Sequence, residues 1–305
     1  MKKNNKFMGI ICAVGAYMLF GFSFLFTKQS VESIAPMYLL SWRFILAFVV
    51  MSILVLTGIF KINIKGKNVK LLVLMAIFEP VLYYIGETLG LKNTTTAESG
   101  AIVAMIPITT IIFSSIILKE KPTKMQSICI VLTVIGVLVI ILSKDLESSL
   151  NVFGYICLFV AVIVDSMYVT LSRKLQEFTP IEKTYMMTFL GAVSFTTIAM
   201  FESLRGGDFS YYISLPFVNM DFLVTILYLS CGCSLIAFVL FNHAVSIIGA
   251  GRTSAFSGLT TVITAIMGVV LLHEPFTIYQ GVGTVLVLLG AYGANKEELK
   301  VEEEI

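Results

Sequence analysis

The sequence predicts an all-α integral membrane protein with ten transmembrane helices, arranged as two inverted five-helix repeats. Three observations lead to this prediction: the composition is strongly apolar, the apolar residues form ten long runs, and the second half of the chain resembles the first. Of the 305 residues, 57% are hydrophobic and 13% are charged, whereas soluble domains contain about 45–50% apolar residues. The mean hydropathy is +0.94.

Each apolar run is long enough to cross a bilayer, which takes about 20 residues. The runs are 7–27, 37–60, 71–91, 99–118, 125–143, 152–172, 184–201, 222–245, 253–272 and 275–294. The first follows three lysines, as a signal peptide would, but it is longer than a typical signal-peptide core and lacks a small-residue cleavage site. We therefore interpret it as the first transmembrane helix. Almost nothing is left for a soluble domain.

The basic residues predict the orientation in the cell membrane, because Lys and Arg are retained on the cytoplasmic side. With the N-terminus inside, sixteen of the 21 Lys and Arg residues fall in cytoplasmic segments, four fall in outer segments, and Arg43 lies within the membrane. Both termini are therefore expected in the cytoplasm. Since the basic residues are accounted for by topology, we expect no nucleic-acid partner.

The chain resembles itself at an offset of 154 residues. Residues 95–126 align without a gap on residues 249–280, with seven of 32 positions identical. Some identities are expected between any two apolar helices, so the shared ending is the stronger signal. In both copies a long apolar helix closes with Leu-x-Glu, and Thr-x-x-Gln opens the next helix, whose Gly136 and Gly290 also align. A fixed-offset similarity of this kind indicates a duplicated unit.

The duplication divides the chain into residues 1–145 (helices one to five) and 146–305 (helices six to ten, with a short charged tail). Because each half contains five helices, the second half must enter the membrane upside down relative to the first. Inverted repeats are typical of transporters that open one central site to either side of the membrane in turn.

These motifs also resemble the EamA-type repeat of the drug/metabolite transporter superfamily. The residues that carry the resemblance are Pro107, Leu118-Lys119-Glu120 and Gly136 in the first copy, and Leu272-His273-Glu274 and Gly290 in the second. The resemblance covers about residues 7–294. It implies a ten-helix, exporter-like fold with a central cavity, and cargoes that range from amino acids to other small metabolites. One departure is Thr261, which stands where the first copy has Pro107.

The third run contains two acids, in the stretch FEPVLYYIGETLG at 78–90. A charge near the bilayer centre costs at least about 2.5–3.5 kcal/mol, so such residues usually face a cavity or a partner. The helical period places six residues on one stripe: Ala76, Glu79, Tyr83, Gly86, Glu87 and Gly90. We interpret this stripe as the lining of a cavity where Glu79 binds a cationic group or a proton. Pro80 is expected to disturb the helix about one turn earlier.

The alternative is a protonated Glu79 hydrogen-bonded between helices, with Gly86 and Gly90 serving close packing. Asp165, in the sixth run, is the one acid in the membrane core of the second half, and Tyr168 adds a hydroxyl group nearby. We place both residues in the same candidate site. An interhelical hydrogen bond is the other interpretation of Asp165.

Two cationic residues are also candidates. Arg43 is close enough to the outer end of the second run for its side chain to reach the surface, or it could pair with Glu87 or Glu98 as a structural or gating ion pair, or bind a cargo carboxylate. His243, near the inner end of the eighth run, could relay protons or simply be solvated. For Glu120 and Glu274, at the two Leu-x-Glu endings, we expect a structural role in capping and in holding the short turns.

The predicted function is a secondary transporter that moves a small polar metabolite, an amino acid or an amine, by alternating access. We expect an exporter, with proton antiport and uncoupled transport both left open. A phosphorylated cargo would need several core Lys or Arg residues. The alternative is a membrane-embedded enzyme, but the sequence offers no nucleophile–base or metal-ligand pattern. We expect no cofactor or metal, and the partners are the bilayer and a small-molecule substrate. Oligomeric state is left open.

Overall fold

The computed structural model describes residues 2–117, 123–142, 151–249, 253 and 256–304, and these residues are almost entirely helical. Within them, eight helices are long and apolar enough to cross a membrane. The shorter apolar helices Ser257–Leu271 and Ile278–Gly293 correspond to the last two predicted runs. The predicted all-α membrane architecture is confirmed.

The helices are interrupted in two corresponding places by π-helical segments. Ile77–Leu82 (the first π-segment) joins the helices Val69–Ala76 and Tyr83–Asn93. Tyr228–Ala237 (the second π-segment) joins the helices Met220–Leu227 and Phe238–Ile248. The helices are α1 Lys2–Val31, α2 Pro36–Leu56, α3 Val69–Ala76, α4 Tyr83–Asn93, α5 Thr96–Val103, α6 Ile106–Ile117, α7 Lys124–Leu142, α8 Val152–Lys174, α9 Pro180–Gly206, α10 Phe209–Val218, α11 Met220–Leu227, α12 Phe238–Ile248, α13 Ser257–Leu271 and α14 Ile278–Glu304.

Local sequence signals explain where two of the buried helices begin. At the start of α5, the Thr95 side chain accepts from the Glu98 amide while the Glu98 carboxylate accepts from the Thr95 amide. The same reciprocal capping box, which satisfies two otherwise unpaired backbone donors, starts α9 with Thr179 and Glu182.

Helices that correspond between the two halves pack against each other: α2 with α9, α5 with α13, and α7 with α14. All three pairs are antiparallel. In the pair α2 and α9, the ring centroids of Phe44 and Phe195 lie 5.2 Å apart. One turn later in α2, the centroid of Phe48 lies 5.4 Å from that of Phe189, which comes earlier in α9. In each of these pairs, the corresponding helices therefore run in opposite directions.

The aligned glycines allow α7 and α14 to approach closely. A Cβ atom on Gly136 would lie 2.7 Å from the Gly283 carbonyl oxygen, and one on Gly290 would lie 2.8 Å from that of Cys129. Only glycine permits this approach without separating the helices.

Glu274 caps a helix of the opposite half. Its carboxylate accepts from the Thr96 amide at 2.8 and 3.1 Å and from the Thr96 hydroxyl at 2.9 Å. Beside it, the side-chain amide of Gln280 donates to the carboxylate of Glu98 at 3.3 Å. The predicted capping role therefore acts across the two halves, on the first turn of α5, rather than within the turn that contains Glu274. Glu120, with Leu118 and Lys119, lies outside the described residues.

Glu274→Gln is expected to lower the free energy of unfolding by about 1–2 kcal/mol, because a neutral amide accepts more weakly from a helix N-terminus than a carboxylate does. Thermal unfolding in detergent measures the effect. Glu202→Gln, at an exposed position of α9, is the matched control. An unchanged unfolding temperature in Glu274→Gln would refute the capping role.

Candidate functional site

The first π-segment places an acid at a break in the third membrane span. Glu79 has extended backbone angles (φ −129°, ψ 112°) within an otherwise helical stretch. Pro80 follows, and a proline disfavours the helical conformation of the residue before it. The disturbance therefore falls on Glu79 itself, rather than one turn earlier as the sequence suggested. The first π-segment is therefore a kink between two helices, and non-helical backbone at membrane depth is tolerated where it is buried in protein or lines a cavity.

A cavity of about 70 Å³ lies beside this break. Residues of α1, the first π-segment, α4, α5, α6, α8, α12 and α13 enclose it. Its lining contains eight aromatic residues, three acids, three serine or threonine residues and two aliphatic residues. They are Tyr17, Phe20, Phe24, Tyr83, Tyr84, Tyr168, Phe238 and Phe241; Glu79, Glu87 and Asp165; Ser23, Ser257 and Thr260; and Val103 and Ile106.

The two glutamates are buried, and part of each carboxyl group lacks a hydrogen-bond partner among the described residues. Glu79 and Glu87 are each 3% exposed, and the Oε2 atom of each is buried and unpartnered within the described part of the chain. Glu79 interacts electrostatically with Asp165 and with Glu87. Burying an ionised carboxylate without a partner is costly, so these groups require either protons or a cation in the cavity.

An aromatic wall lines the same cavity as the acids; it consists of Tyr17, Phe20 and Phe24 of α1, Tyr168 of α8, and Phe238 and Phe241 of α12. Tyr168 stacks on Phe241 with ring centroids 6.2 Å apart, and Tyr17 meets the same ring edge-on at 5.9 Å. The Tyr168 hydroxyl donates to Asn242 at 3.3 Å, which fixes the ring orientation. Aromatic faces carry a negative quadrupole and attract organic cations. Acids and ring faces together therefore favour a positively charged ligand.

The structure places Arg43 away from the surface and outside the cavity lining. It is 1% exposed, so it does not reach the surface. Its Nε donates to Ser234 at 2.7 Å and its Nη2 donates to the Tyr84 hydroxyl at 2.8 Å. Among the described residues it forms no ion pair with Glu87 or Glu98. Arg43 is also not among the residues that line the cavity, whereas its hydrogen-bond partner Tyr84 is.

His243 is exposed on α12 and does not line the cavity, although the neighbouring Phe241 does. This exposed position agrees with the solvated alternative, and the proton-relay role stays a prediction. The predicted stripe also divides. Glu79, Tyr83 and Glu87 line the cavity, whereas Gly86 and Gly90 pack against α8, next to Cys157 and Leu158.

Most of the aromatic wall was not predicted from the sequence. Tyr17, Phe20 and Phe24 recur at helical spacing, but phenylalanines also recur on faces that meet lipid, so spacing alone does not separate the two. The hydroxyl residues Ser257 and Thr260, near the start of α13, indicate a cavity-lining face more clearly, because they lie three positions apart in an apolar run.

The fold and the cavity are those of a membrane transporter, and the family profile agrees. The profile of the EamA-like transporter family matches residues 7–142 and again residues 152–296. The chain therefore belongs to the EamA-like transporter family, as the sequence motifs suggested.

Similar proteins carry the same description. The chain is 34% identical to the uncharacterized transporter YcxC of Bacillus subtilis (strain 168), over 97% of this chain and 95% of that one. It is 29% identical to the uncharacterized transporter YyaM of the same organism, over 93% and 92% of the two chains. A solved crystal structure shares the fold with a TM-score of 0.63 at 14% identity, covering 99% of this chain and all of the other.

Proposed function

We propose that this transporter moves a small organic cation, such as an amine-bearing metabolite, by alternating access. The observation that carries the proposal is the set of three acids, Glu79, Glu87 and Asp165, in a cavity whose described lining contains no basic side chain. A cationic amine would satisfy the unpartnered carboxylates, and its carbon chain would lie against the aromatic wall.

The charge distribution favours an amine over an amino acid, which the sequence left as an equal candidate. The α-carboxylate of an amino acid would need a donor or a positive charge. The guanidinium of Arg43 donates to Ser234 and Tyr84, and it lies over the Tyr84 ring. The cavity volume of about 70 Å³ also favours a small cargo, since pockets for drug-sized ligands measure about 300–1,000 Å³.

Alternating access is supported by the antiparallel packing of the three corresponding helix pairs. If the halves are inverted repeats, exchanging their conformations opens the same cavity to the opposite side of the membrane. The two π-segments lie at corresponding positions of the third and eighth spans; the first contributes Glu79 to the cavity lining, and the second ends directly before Phe238, which also lines the cavity. Interrupted membrane helices are common at cargo sites.

Proton antiport follows from the same carboxyl groups. A cation entering the cavity replaces protons on the acids, and protons entering from the opposite side release the cation. With an acidic exterior and the predicted orientation, this exchange drives export of the cargo from the cytoplasm.

Transport in proteoliposomes tests the proposal. The expected result is counterflow of a radiolabelled primary amine, such as n-pentylamine, and its accumulation against a concentration gradient when the opposite compartment is acidified. Liposomes without protein control for passive leakage of the neutral amine. Movement of zwitterionic amino acids without any amine movement would refute the proposal, and chemical alteration of a lipid or solute would favour an enzyme instead.

A further inference from the structure

We propose that Arg43 is a fixed countercharge that sets how many positive charges the cargo carries. This inference rests on the proposed function, since it concerns cation recognition in the same cavity. Arg43 does not contact the cargo in this arrangement. It acts through the electrostatic field that its guanidinium imposes on the acids, and thereby determines specificity.

The guanidinium is held firmly in one place. Besides its hydrogen bonds to Ser234 and Tyr84, it lies over the Tyr84 ring, with Cζ 4.1 Å from the ring centroid. The backbone is fixed as well, because the Ser230 hydroxyl donates to the Arg43 carbonyl at 2.7 Å. Arg43 therefore connects α2 to the second π-segment and to α4.

Tyr84 contacts both the positive charge and the cavity. Its side chain lines the cavity, and the Arg43 guanidinium lies over its ring. Arg43 interacts electrostatically with Glu87 and Glu79, but among the described residues it forms no ion pair with either of them. The acids consequently remain available to cargo, and their negative charge is offset by one unit.

The net charge around the cavity then predicts how strongly the site prefers a dication to a monocation. With all three acids ionised, the described acids and Arg43 together carry two negative charges. Removing the charge of Arg43 leaves three, which strengthens the attraction for each additional positive charge on the cargo. Because charge interactions in partly buried sites are strong, we expect the preference between a dication and a monocation to change about tenfold, which corresponds to about 1.4 kcal/mol.

The test compares two amines of equal carbon chain, n-pentylamine and 1,5-diaminopentane, as competitors of labelled n-pentylamine counterflow. The measured quantity is the ratio of their half-inhibiting concentrations, diamine over monoamine. In Arg43→Gln this ratio is expected to fall about tenfold relative to the native protein. Arg43→Lys keeps the charge without the planar fork, and Ser234→Ala removes one hydrogen bond without changing any charge, so both are expected to keep the native ratio.

A second pair of variants separates charge from packing. Glu87→Gln removes one negative charge and is expected to raise the ratio, whereas Arg43→Gln combined with Glu87→Gln restores the net charge and is expected to restore the native ratio. If Arg43→Gln does not fold, the double variant compared with Glu87→Gln gives the same test.

The outcomes distinguish the two proposals. An unchanged ratio in Arg43→Gln, or equal shifts in Arg43→Gln, Arg43→Lys and Ser234→Ala, would overturn the countercharge and leave cation transport intact. Failure of the native protein to move either amine would overturn the proposed function and this inference with it.

Discussion

Glu79→Gln is expected to reduce amine transport at least about 100-fold. Glutamine has nearly the shape of glutamate, but it can neither pair with a cation as a carboxylate does nor exchange a proton. Removing one partner of a buried charge pair costs about 3–5 kcal/mol, and about 2.7 kcal/mol already corresponds to a 100-fold loss in affinity. Counterflow in proteoliposomes measures the loss.

Glu79→Gln should leave the fold intact, which distinguishes a functional from a structural role. The carboxyl group forms no hydrogen bond within the described residues, and its Oε2 atom is buried without a partner. The substitution therefore breaks no contact, and a neutral side chain is cheaper to bury. We expect the unfolding temperature to stay the same or rise. Glu202→Gln, exposed on α9, controls for the chemical change, and native transport by Glu79→Gln would remove Glu79 from the site.

Gly86→Ala is expected to destabilise the protein by about 1–3 kcal/mol, the usual range for overpacking a tight contact. An added Cβ would lie 2.7 Å from the carbonyl oxygen of Cys157 and 3.1 Å from the Cβ of Ala161. Because one of these atoms belongs to the backbone, α4 and α8 must separate. That movement would also carry Glu87 away from Asp165, so transport should fall together with stability.

Gly15→Ala is the matched control for Gly86→Ala. Its added Cβ would lie 3.4 Å from a Leu240 methyl group, an ordinary contact, and alanine is favoured over glycine within a helix by about 1 kcal/mol. We expect Gly15→Ala to be neutral or stabilising in thermal unfolding. Equal losses in the two variants would mean that glycine is needed for helix flexibility and not for the approach of α4 to α8.

The fold could be predicted because the bilayer leaves so few choices. A backbone inside the membrane must satisfy its own hydrogen bonds, so a long apolar run is a helix wherever it occurs. The short helix α10, Phe209–Val218, was not predicted, because ten residues cannot cross the membrane and the segment was treated as a connection. Its Tyr212 lies against α2, where the carbonyl accepts from the Trp42 indole at 3.0 Å and the hydroxyl lies 2.6 Å from Ser41.

The candidate site was only partly predictable. Ionisable residues are rare in membrane spans, so Glu79 and Asp165 stood out from their apolar surroundings, and both line the cavity. Sequence position gives the depth of Arg43 and of His243, but not the direction of either side chain. The direction of each side chain depends on whether that face of its helix packs against another helix or against lipid. In helices that are apolar on every side, little in the pattern distinguishes a neighbour from lipid.

The second π-segment determines the direction, around the helix axis, in which the side chains of α12 face. A regular α-helix rotates by about 100° per residue, so the wider turns of Tyr228–Ala237 offset the angular phase of Phe238 and Phe241 from that of α11. The same span can thus turn Phe222 and Ile226 into one apolar cluster and Phe238 and Phe241 into another. In an uninterrupted α-helix of equal length, the part of the span that follows residue 237 would face a different direction. The rings of Phe238 and Phe241 would then no longer line the cavity.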